Sequence, residues 1–201
     1  MSTIKKKFEP VRSVLLIMDY QNLILENYLS EKTAADVLAR TAALADAARE
    51  AEVKVIYVTV GFREGHPEIS SKNALFSAIR ENGLLVTGAT ESAIHPDVSP
   101  HPGETVIIKH RIGAFSFTDL DMILKANEIQ TLIMAGLTTS GVVLSSVRQA
   151  FDLDFNLIVA ADCCADADED IHSVLINSIL PQHAEVQTAD KLIKRMSTGK
   201  N

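Results

Sequence analysis

The chain has 201 residues, of which 47% are hydrophobic and 22% are charged, an ordinary composition for a globular protein with a sizeable core. Its net charge of −7 repels phosphate backbones, and the basic cluster at residues 5–7 has no interleaved aromatic side chains, so we expect no nucleic-acid partner. No apolar run is long enough for a membrane span and no signal-peptide pattern opens the sequence, so we expect no membrane partner and a cytoplasmic location.

Six short apolar segments predict the strands of a parallel sheet. They consist of β-branched and aliphatic residues without a clean alternation of polar and apolar positions, which is typical of strands buried on both faces. In chain order they are Ser13–Met18, Val53–Val60, Thr105–Ile108, Thr131–Ala135, Asn156–Ala160 and the weaker Ala184–Gln187.

Helical patterns lie between these segments. The longest, Glu31–Glu50, places apolar residues near a 3.6-residue period and has Ser30 as a candidate N-cap. The others are Asp119–Ala126, Ser140–Phe151, Ile171–Ile179 and Lys191–Met196. This alternation predicts right-handed crossovers and a doubly wound α/β sheet.

No internal repeat or linker divides the sequence, so we predict a single domain over residues 1–201, beginning with an N-terminal tail at 1–12. Residues 61–103 interrupt the alternation and hold four of the six prolines and three of the six histidines. A connection this long is often functional, so we expect an excursion over the active-site face, with a short helix near Lys72–Glu81. It is either a substrate lid or a surface loop that forms a subunit contact.

Two charged residues directly follow apolar strands. Asp19 ends the first strand, where partial burial would raise its pKa and suit it to proton transfer, although a helix-capping Asp would look the same. Lys109 ends the third strand, where it would hold such a carboxylate ionised or bind an anionic substrate, unless it is a surface charge. Because ligands of open α/β sheets bind beyond the carboxyl ends of the strands, both are candidate catalytic residues.

Other side chains near these strand ends are weaker candidates. The amides of Gln21 and Asn22 follow Asp19 and would point into the same crevice. His110 and Arg111 follow Lys109 and are further candidates, while Phe115 either forms an apolar wall of the site or belongs to the core.

The turn after the fourth strand reads "AGLTTSGVVLSS" from Ala135. Gly136 permits a tight turn, and either Thr139 or Ser140 would cap the helix that follows. The free N–H groups at that helix terminus would hold a carboxylate or a developing oxyanion.

The two cysteines are adjacent and follow Asp162, which we place at the end of the fifth strand. With small neighbours, Cys163 and Cys164 are expected to be buried rather than reactive, and the acidic run at 166–170 is expected to cap the next helix. The histidines form no HxxxH pair, so we predict neither a metal site nor a cofactor.

Three stretches in this order, "LLIMDYQN", "VIIKHRIGAFSFTDLDMIL" and "TLIMAGLTTSGVVLSSVRQAFDLDFNLIVAADCCADAD", resemble the isochorismatase-like, or cysteine hydrolase, superfamily. The resemblance covers nearly the whole chain. It implies a Rossmann-like, six-stranded parallel sheet with helices on both faces, a three-layer α/β/α fold. It also implies a small-molecule substrate and a homo-oligomer, a dimer or tetramer, with sites near the subunit contacts.

Most members of this family are amidases that use an Asp–Lys–Cys triad, and the resemblance maps the Asp onto Asp19 and the Lys onto Lys109. Its nucleophile motif, G-x-x-T-x-x-C-V, places Val142 where Cys should stand. It also implies a cis bond between Leu137 and Thr138, with Thr138 and Val142 supplying the backbone donors of an oxyanion hole. True isochorismatases carry Gly at the Cys position and cleave a vinyl ether with water.

These residues leave three hypotheses for the function. The first is a hydrolase of a small anionic substrate, a vinyl ether or a C–N compound, in which Asp19 and Lys109 act without a thiol. Gln21, Phe115, Thr138 and Val142 would then bind the substrate. The second is a non-catalytic binding or assembly protein. The third is an amidase with Ser140 as a displaced nucleophile.

Overall fold

The computed structural model describes residues 8–198 and contains a six-stranded parallel sheet. The strands lie in the order β3-β2-β1-β4-β5-β6. Their bounds are β1 Ser13–Met18, β2 Lys54–Val60, β3 Thr105–Lys109, β4 Thr131–Leu137, β5 Asn156–Ala165 and β6 Glu185–Gln187. The predicted Rossmann-like, doubly wound sheet is therefore confirmed.

Seven α-helices connect and flank the strands in the described part of the chain. They are α1 Asn22–Tyr28, α2 Glu31–Glu50, α3 Ala74–Glu81, α4 Leu120–Ala126, α5 Leu144–Asp152, α6 Glu169–Val174 and α7 Ala189–Thr198. A π-helical turn at Thr139–Val143 precedes α5, and a second at Leu175–Ile179 follows α6. The first helix, α1, was not predicted from the sequence.

The strand β1 shows why both faces of the sheet are covered. All six of its residues are buried, and the five apolar ones from Val14 to Met18 belong alternately to two apolar clusters. Leu15 and Ile17 pack in the cluster that holds α2 and α7, whereas Leu16 and Met18 pack in the one that holds α4 and α5. Since successive strand side chains point to opposite faces, this division produces the predicted three layers.

Capping side chains set where several helices begin. Ser30 accepts from the amide of Thr33 at the start of α2, and Asp168 accepts from two amides at the start of α6, both as predicted. The predicted cap at Thr139 or Ser140 is wrong, because Thr138 supplies the oxygen that accepts from the amide of Gly141.

The fifth strand is longer than its apolar pattern indicates. Asp162 lies inside β5 rather than at its end, and both cysteines continue the strand. A shift in pairing between Met134 and Gly136 of β4 accompanies this extension. The Asp162 carboxylate accepts from the amide of Ala189 and so caps α7.

The segment 61–103 is attached to the carboxyl end of β1. Gln21 forms an antiparallel bridge with Ile94, and the amide of His95 donates to the carbonyl of Tyr20 at 2.9 Å. The segment contains α3, close to its predicted position, and lies beside the strand that carries Asp19.

The predicted N-terminal tail is ordered in part. Phe8 packs against the α2 and α7 cluster, and the backbone carbonyl of Arg12 accepts from the amide of Gln130. Residues 1–7, which include the basic cluster at residues 5–7, lie outside the described residues. None of the helices between residues 8 and 198 combines the length and apolar character that crossing a membrane requires.

Candidate active site

The ion pair of Asp19 and Lys109 is the centre of the site. Lys109 Nζ lies 2.8 Å from Asp19 Oδ2, and the side chains are 2% and 7% exposed for Lys109 and Asp19. Because β2 separates β1 from β3, the lysine stem reaches across the end of β2 to make this contact. Lys109 Nζ also donates to the carbonyl of Arg111 at 3.1 Å, which fixes the ammonium group.

The environment of Asp19 suits a group that exchanges a proton. Burial raises the pKa of this carboxyl above its ordinary value, and the neighbouring Lys109 opposes that rise. Among the described residues, Asp19 Oδ1 is buried without a hydrogen-bond partner, so one carboxyl oxygen is available to a ligand. The residue also has φ of 60°, a left-handed conformation that is uncommon outside glycine and concentrates at functional positions.

Gln21 supports the backbone around Asp19. Its Nε2 donates to the carbonyls of Val60 and Ser92 at 2.8 and 2.7 Å, and its Oε1 accepts from the amide of Val60 at 2.8 Å. The side chain is fully buried, so its amide joins β1, β2 and the segment 61–103. Both amide protons of Gln21 are therefore donated to backbone carbonyls, and the direct substrate contact expected from the sequence stays a prediction. The amide of Asn22 is exposed and donates to the carbonyl of Thr90.

The turn between β4 and α5, residues 138–143, lies against the end of β1 and is called the elbow below. A Cβ atom placed on Gly136 would lie 3.2 Å from Met18 Cβ and 3.2 Å from Val142 Cγ1. This close approach disfavours a larger residue at position 136 and puts the Val142 side chain near the residue that precedes Asp19. The Leu137–Thr138 peptide bond is cis, as the resemblance implies.

Only some of the backbone amides of the elbow donate hydrogen bonds to identified partners. Those of Ser140, Gly141 and Val143 donate to Asp166 Oδ2, Thr138 Oγ1 and the Thr138 carbonyl, respectively. Within residues 8–198, the amides of Thr138 and Val142 donate to no group beyond the elbow itself. The oxyanion-binding role that the resemblance implies for these two amides stays a prediction.

A hydroxyl–imidazole contact behind the elbow was missed from the sequence. Thr139 is fully buried, and its Oγ1 lies 2.8 Å from His172 Nδ1, on α6. The two residues are 33 positions apart, and no spacing in the sequence indicates that they meet.

The remaining predicted residues are buried in the body of the protein or held by backbone groups. Phe115 is 6% exposed and packs in the α4 and α5 cluster, near the ring of Phe155. The imidazole of His110 contacts the carbonyl of Gly61, and Arg111 donates to the carbonyl of Glu68.

The cysteines are placed as expected for unreactive thiols. Cys163 is fully buried and Cys164 is 4% exposed. Burial raises the pKa of the Cys163 thiol to about 12, and it also raises that of Cys164. In the part of the chain that the structure describes, no three His, Cys, Asp or Glu side chains are grouped to hold a metal ion.

Comparison with known proteins finds relatives over most of the chain. The family model described as the isochorismatase domain matches residues 13–191. The uncharacterized isochorismatase family protein YecD of Escherichia coli O157:H7 is 30% identical over 191 residues, covering 92% of this chain and 96% of YecD. The ureidoacrylate amidohydrolase RutB of Rhizobium rhizogenes strain K84 is 33% identical over 129 residues, covering 58% of this chain and 52% of RutB.

A solved structure extends the comparison to the whole fold. The cysteine hydrolase from Pseudomonas syringae pv. phaseolicola 1448A matches with a TM-score of 0.89 and 22% sequence identity. The match covers 99% of this chain and 100% of that one. At this identity the likeness concerns the fold.

Proposed function

Because the chain belongs to the isochorismatase family, we propose that it is a hydrolase that cleaves a small anionic substrate without a cysteine nucleophile. The observation that carries the proposal is the buried Asp19–Lys109 pair, in which one carboxyl oxygen has no partner among the described residues. Val142 occupies the nucleophile position in this proposal, and its side chain cannot form an acyl-enzyme.

A vinyl ether is the substrate class that this set of groups fits best. Protonated Asp19, favoured by the raised pKa of its carboxyl, gives its proton to the terminal carbon of the enol ether. Water then adds to the resulting oxocarbenium carbon and loses a proton to the Asp19 carboxylate. The hemiketal collapses to a carbonyl compound and an alcohol, so Asp19 ends protonated as it began.

The other residues of the site have separate roles in this reaction. Lys109 stabilises the Asp19 carboxylate after the proton has left, at a distance of 2.8 Å. The amides of Thr138 and Val142 bind a carboxylate of the substrate, and the Val142 side chain limits the space beside it. Gln21 acts on the reaction through the position of Asp19.

A C–N bond is the second substrate class, and the similarity to the ureidoacrylate amidohydrolase RutB favours testing it. In that reaction Asp19 would deprotonate an attacking water, and the amides of Thr138 and Val142 would bind the developing oxyanion. The same proton would then pass from Asp19 to the departing nitrogen as the C–N bond breaks. This route needs no thiol, but it needs an ionised Asp19, for which Lys109 is the counter-charge.

The test is Asp19→Asn assayed on isochorismate, nicotinamide, N-carbamoylsarcosine and ureidoacrylate. Loss of a general acid or base is expected to lower kcat by about 10²–10⁴-fold on any compound that the unaltered protein turns over. The matched control is Asp46→Asn, which removes an exposed carboxylate on α2 and should leave kcat unchanged. Unchanged turnover in Asp19→Asn would refute the proposal.

Two other outcomes separate the alternatives. Tight binding of a panel compound with no turnover by the unaltered protein would identify a non-catalytic binding protein. Loss of C–N hydrolysis in Ser140→Ala, with Asp19→Asn still active, would identify a displaced serine nucleophile.

A further inference from the structure

The Thr139–His172 contact lies behind the proposed oxyanion-binding amides and is not used by the mechanism. Thr139 Oγ1 is buried and has one polar neighbour within residues 8–198, His172 Nδ1 at 2.8 Å. A buried hydroxyl proton needs an acceptor, and here the imidazole nitrogen is the one within reach. If the Thr139 hydroxyl donates to Nδ1, the neutral His172 carries its proton on Nε2, and the tautomer is therefore the first quantity to measure.

A second contact joins the same two parts of the protein. The amide of Ser140 donates to Asp166 Oδ2 at 2.6 Å, and Asp166 Oδ1 accepts from the amide of Ala167. Asp166 follows β5, and His172 lies on α6 six positions later. The first turn of the elbow is consequently held from outside by the segment that leads into α6.

We propose that His172 is a positioning residue whose neutral form holds the elbow in its binding geometry, and that protonation of His172 releases the elbow at acid pH. A protonated imidazole donates from both nitrogens, so Nδ1 no longer accepts from Thr139. The Thr139 hydroxyl must then turn to accept, and its own proton is left buried without a partner. This inference rests on the proposed function only in assigning a catalytic consequence to the change.

The charges around His172 set the direction of the effect. Burial lowers the pKa of His172 below its ordinary value, while the nearby carboxylates of Asp166 and Glu169 oppose this shift. The elbow contributes no ionisable side chain at residues 138–143, and neither does the π-helical turn at 175–179. His172 is therefore neutral at physiological pH, and the elbow is released as pH falls through the lowered pKa.

The first measurement needs no substrate. Imidazole ¹⁵N NMR of the intact protein should show the Nε2–H tautomer of His172 at neutral pH. Hydrogen exchange of the amides at residues 140–143, corrected for intrinsic rates, should accelerate about tenfold below the pKa of His172, the factor expected for one lost hydrogen bond.

Three variants separate positioning from general destabilisation. Thr139→Val keeps the shape but removes the hydroxyl, so the elbow amides should exchange about tenfold faster at every pH. His172→Asn keeps an acceptor near Nδ1 that does not titrate, so protection should persist at acid pH. The control Thr41→Val removes another buried hydroxyl, which contacts Tyr20, and should not accelerate exchange selectively at the elbow.

Activity gives the last readout. If a panel compound is turned over, His172→Asn should retain kcat at neutral pH within about threefold. In this variant kcat should no longer show the decrease at acid pH that follows protonation of His172. Thr139→Val should lower kcat. An Nδ1–H tautomer, or elbow exchange that is independent of pH and of Thr139→Val, would overturn the inference. Those results do not depend on turnover, so they are distinct from failure of Asp19→Asn to reduce activity.

Discussion

Removing either partner of the buried Asp19–Lys109 pair is expected to destabilise the protein strongly, and the two effects are expected to be coupled. We consider Asp19→Asn, Lys109→Met and the double variant. Asn is chosen because it tolerates the left-handed backbone of Asp19, which has φ of 60°. Met is chosen because it keeps most of the apolar stem of Lys109 without the charge.

The geometry sets the size of the effect. Unit charges 2.8 Å apart attract by about 6 kcal/mol at an effective dielectric constant near 20, and desolvation of two buried ions offsets much of this attraction. Removing one partner leaves the other charge buried alone, so each single variant should lose about 3–5 kcal/mol of unfolding free energy. Removing both should cost less than either single change, because no uncompensated charge remains.

Urea denaturation of the parent protein, the two single variants and the double variant gives the four free energies of a double-mutant cycle. Thermal unfolding gives a second estimate of each loss of stability. A loss of about 4 kcal/mol corresponds to a decrease in Tm of roughly 8–16 °C for a chain of this size. Single-variant losses that simply add in the double variant would refute the conclusion that the two buried charges are coupled.

The same cycle has a predicted pH dependence. Because burial raises the pKa of Asp19, the folded state binds this proton more tightly than the unfolded state does. The contribution of Asp19 to the free energy of unfolding therefore falls as pH rises from the ordinary Asp pKa of 3.8 through the raised pKa of the folded state. Lys109→Met removes the group that opposes the rise, so its penalty should be greatest at neutral pH and shrink on acidification. A penalty independent of pH would contradict this account.

Three further predictions concern other parts of the site. Val142→Cys should react with iodoacetamide faster than the parent protein and gain C–N hydrolase activity, with Val142→Ala as the inactive control. A new thiol that neither reacts with iodoacetamide nor supports hydrolysis would show that residue 142 is not at the nucleophile position. Gln21→Met should lose about 2–4 kcal/mol of unfolding free energy in urea denaturation, because three backbone groups lose their hydrogen-bond partner. The control Asn22→Ala should lose under about 1 kcal/mol, and equal losses would exclude the positioning role. Cys163 and Cys164 should react with a disulfide reagent in denaturant but very slowly in the native state, since burial raises the pKa of both thiols; rapid native reaction would contradict their placement.

The sheet was largely predictable because its inner strands β1, β2 and β4 are almost wholly buried and therefore appear as apolar runs. The expectation of burial on both faces is wrong for the edge strand β3, where Val106 and Ile108 are exposed. The pattern failed where polar residues continue a strand: Asp162 lies within β5 because its carboxylate is used to cap α7. The helix α1 has a single fully buried residue, Leu25, so it leaves little amphipathic signal.

The proximity of Asp19 and Lys109 could be anticipated because both follow apolar segments and match family motif positions, whereas their catalytic role stays a prediction. The capping role of Thr138 was missed since Thr138, Thr139 and Ser140 offer equivalent hydroxyls, and backbone geometry chooses among them. His172 was missed because its contact depends on how α6 packs against the elbow, which local sequence does not encode.

The position of β1 in the sheet has a consequence for synthesis of the chain. β1 pairs with β2 on one side and with β4 on the other, and β4 begins only at Thr131. Until residues 131–137 leave the ribosome, β1 exposes an unpaired edge with five apolar residues, of the kind that promotes aggregation. The strand that carries the proposed catalytic acid is thus a temporary sheet edge, and nascent chains stalled before Thr131 should depend on chaperones to stay soluble.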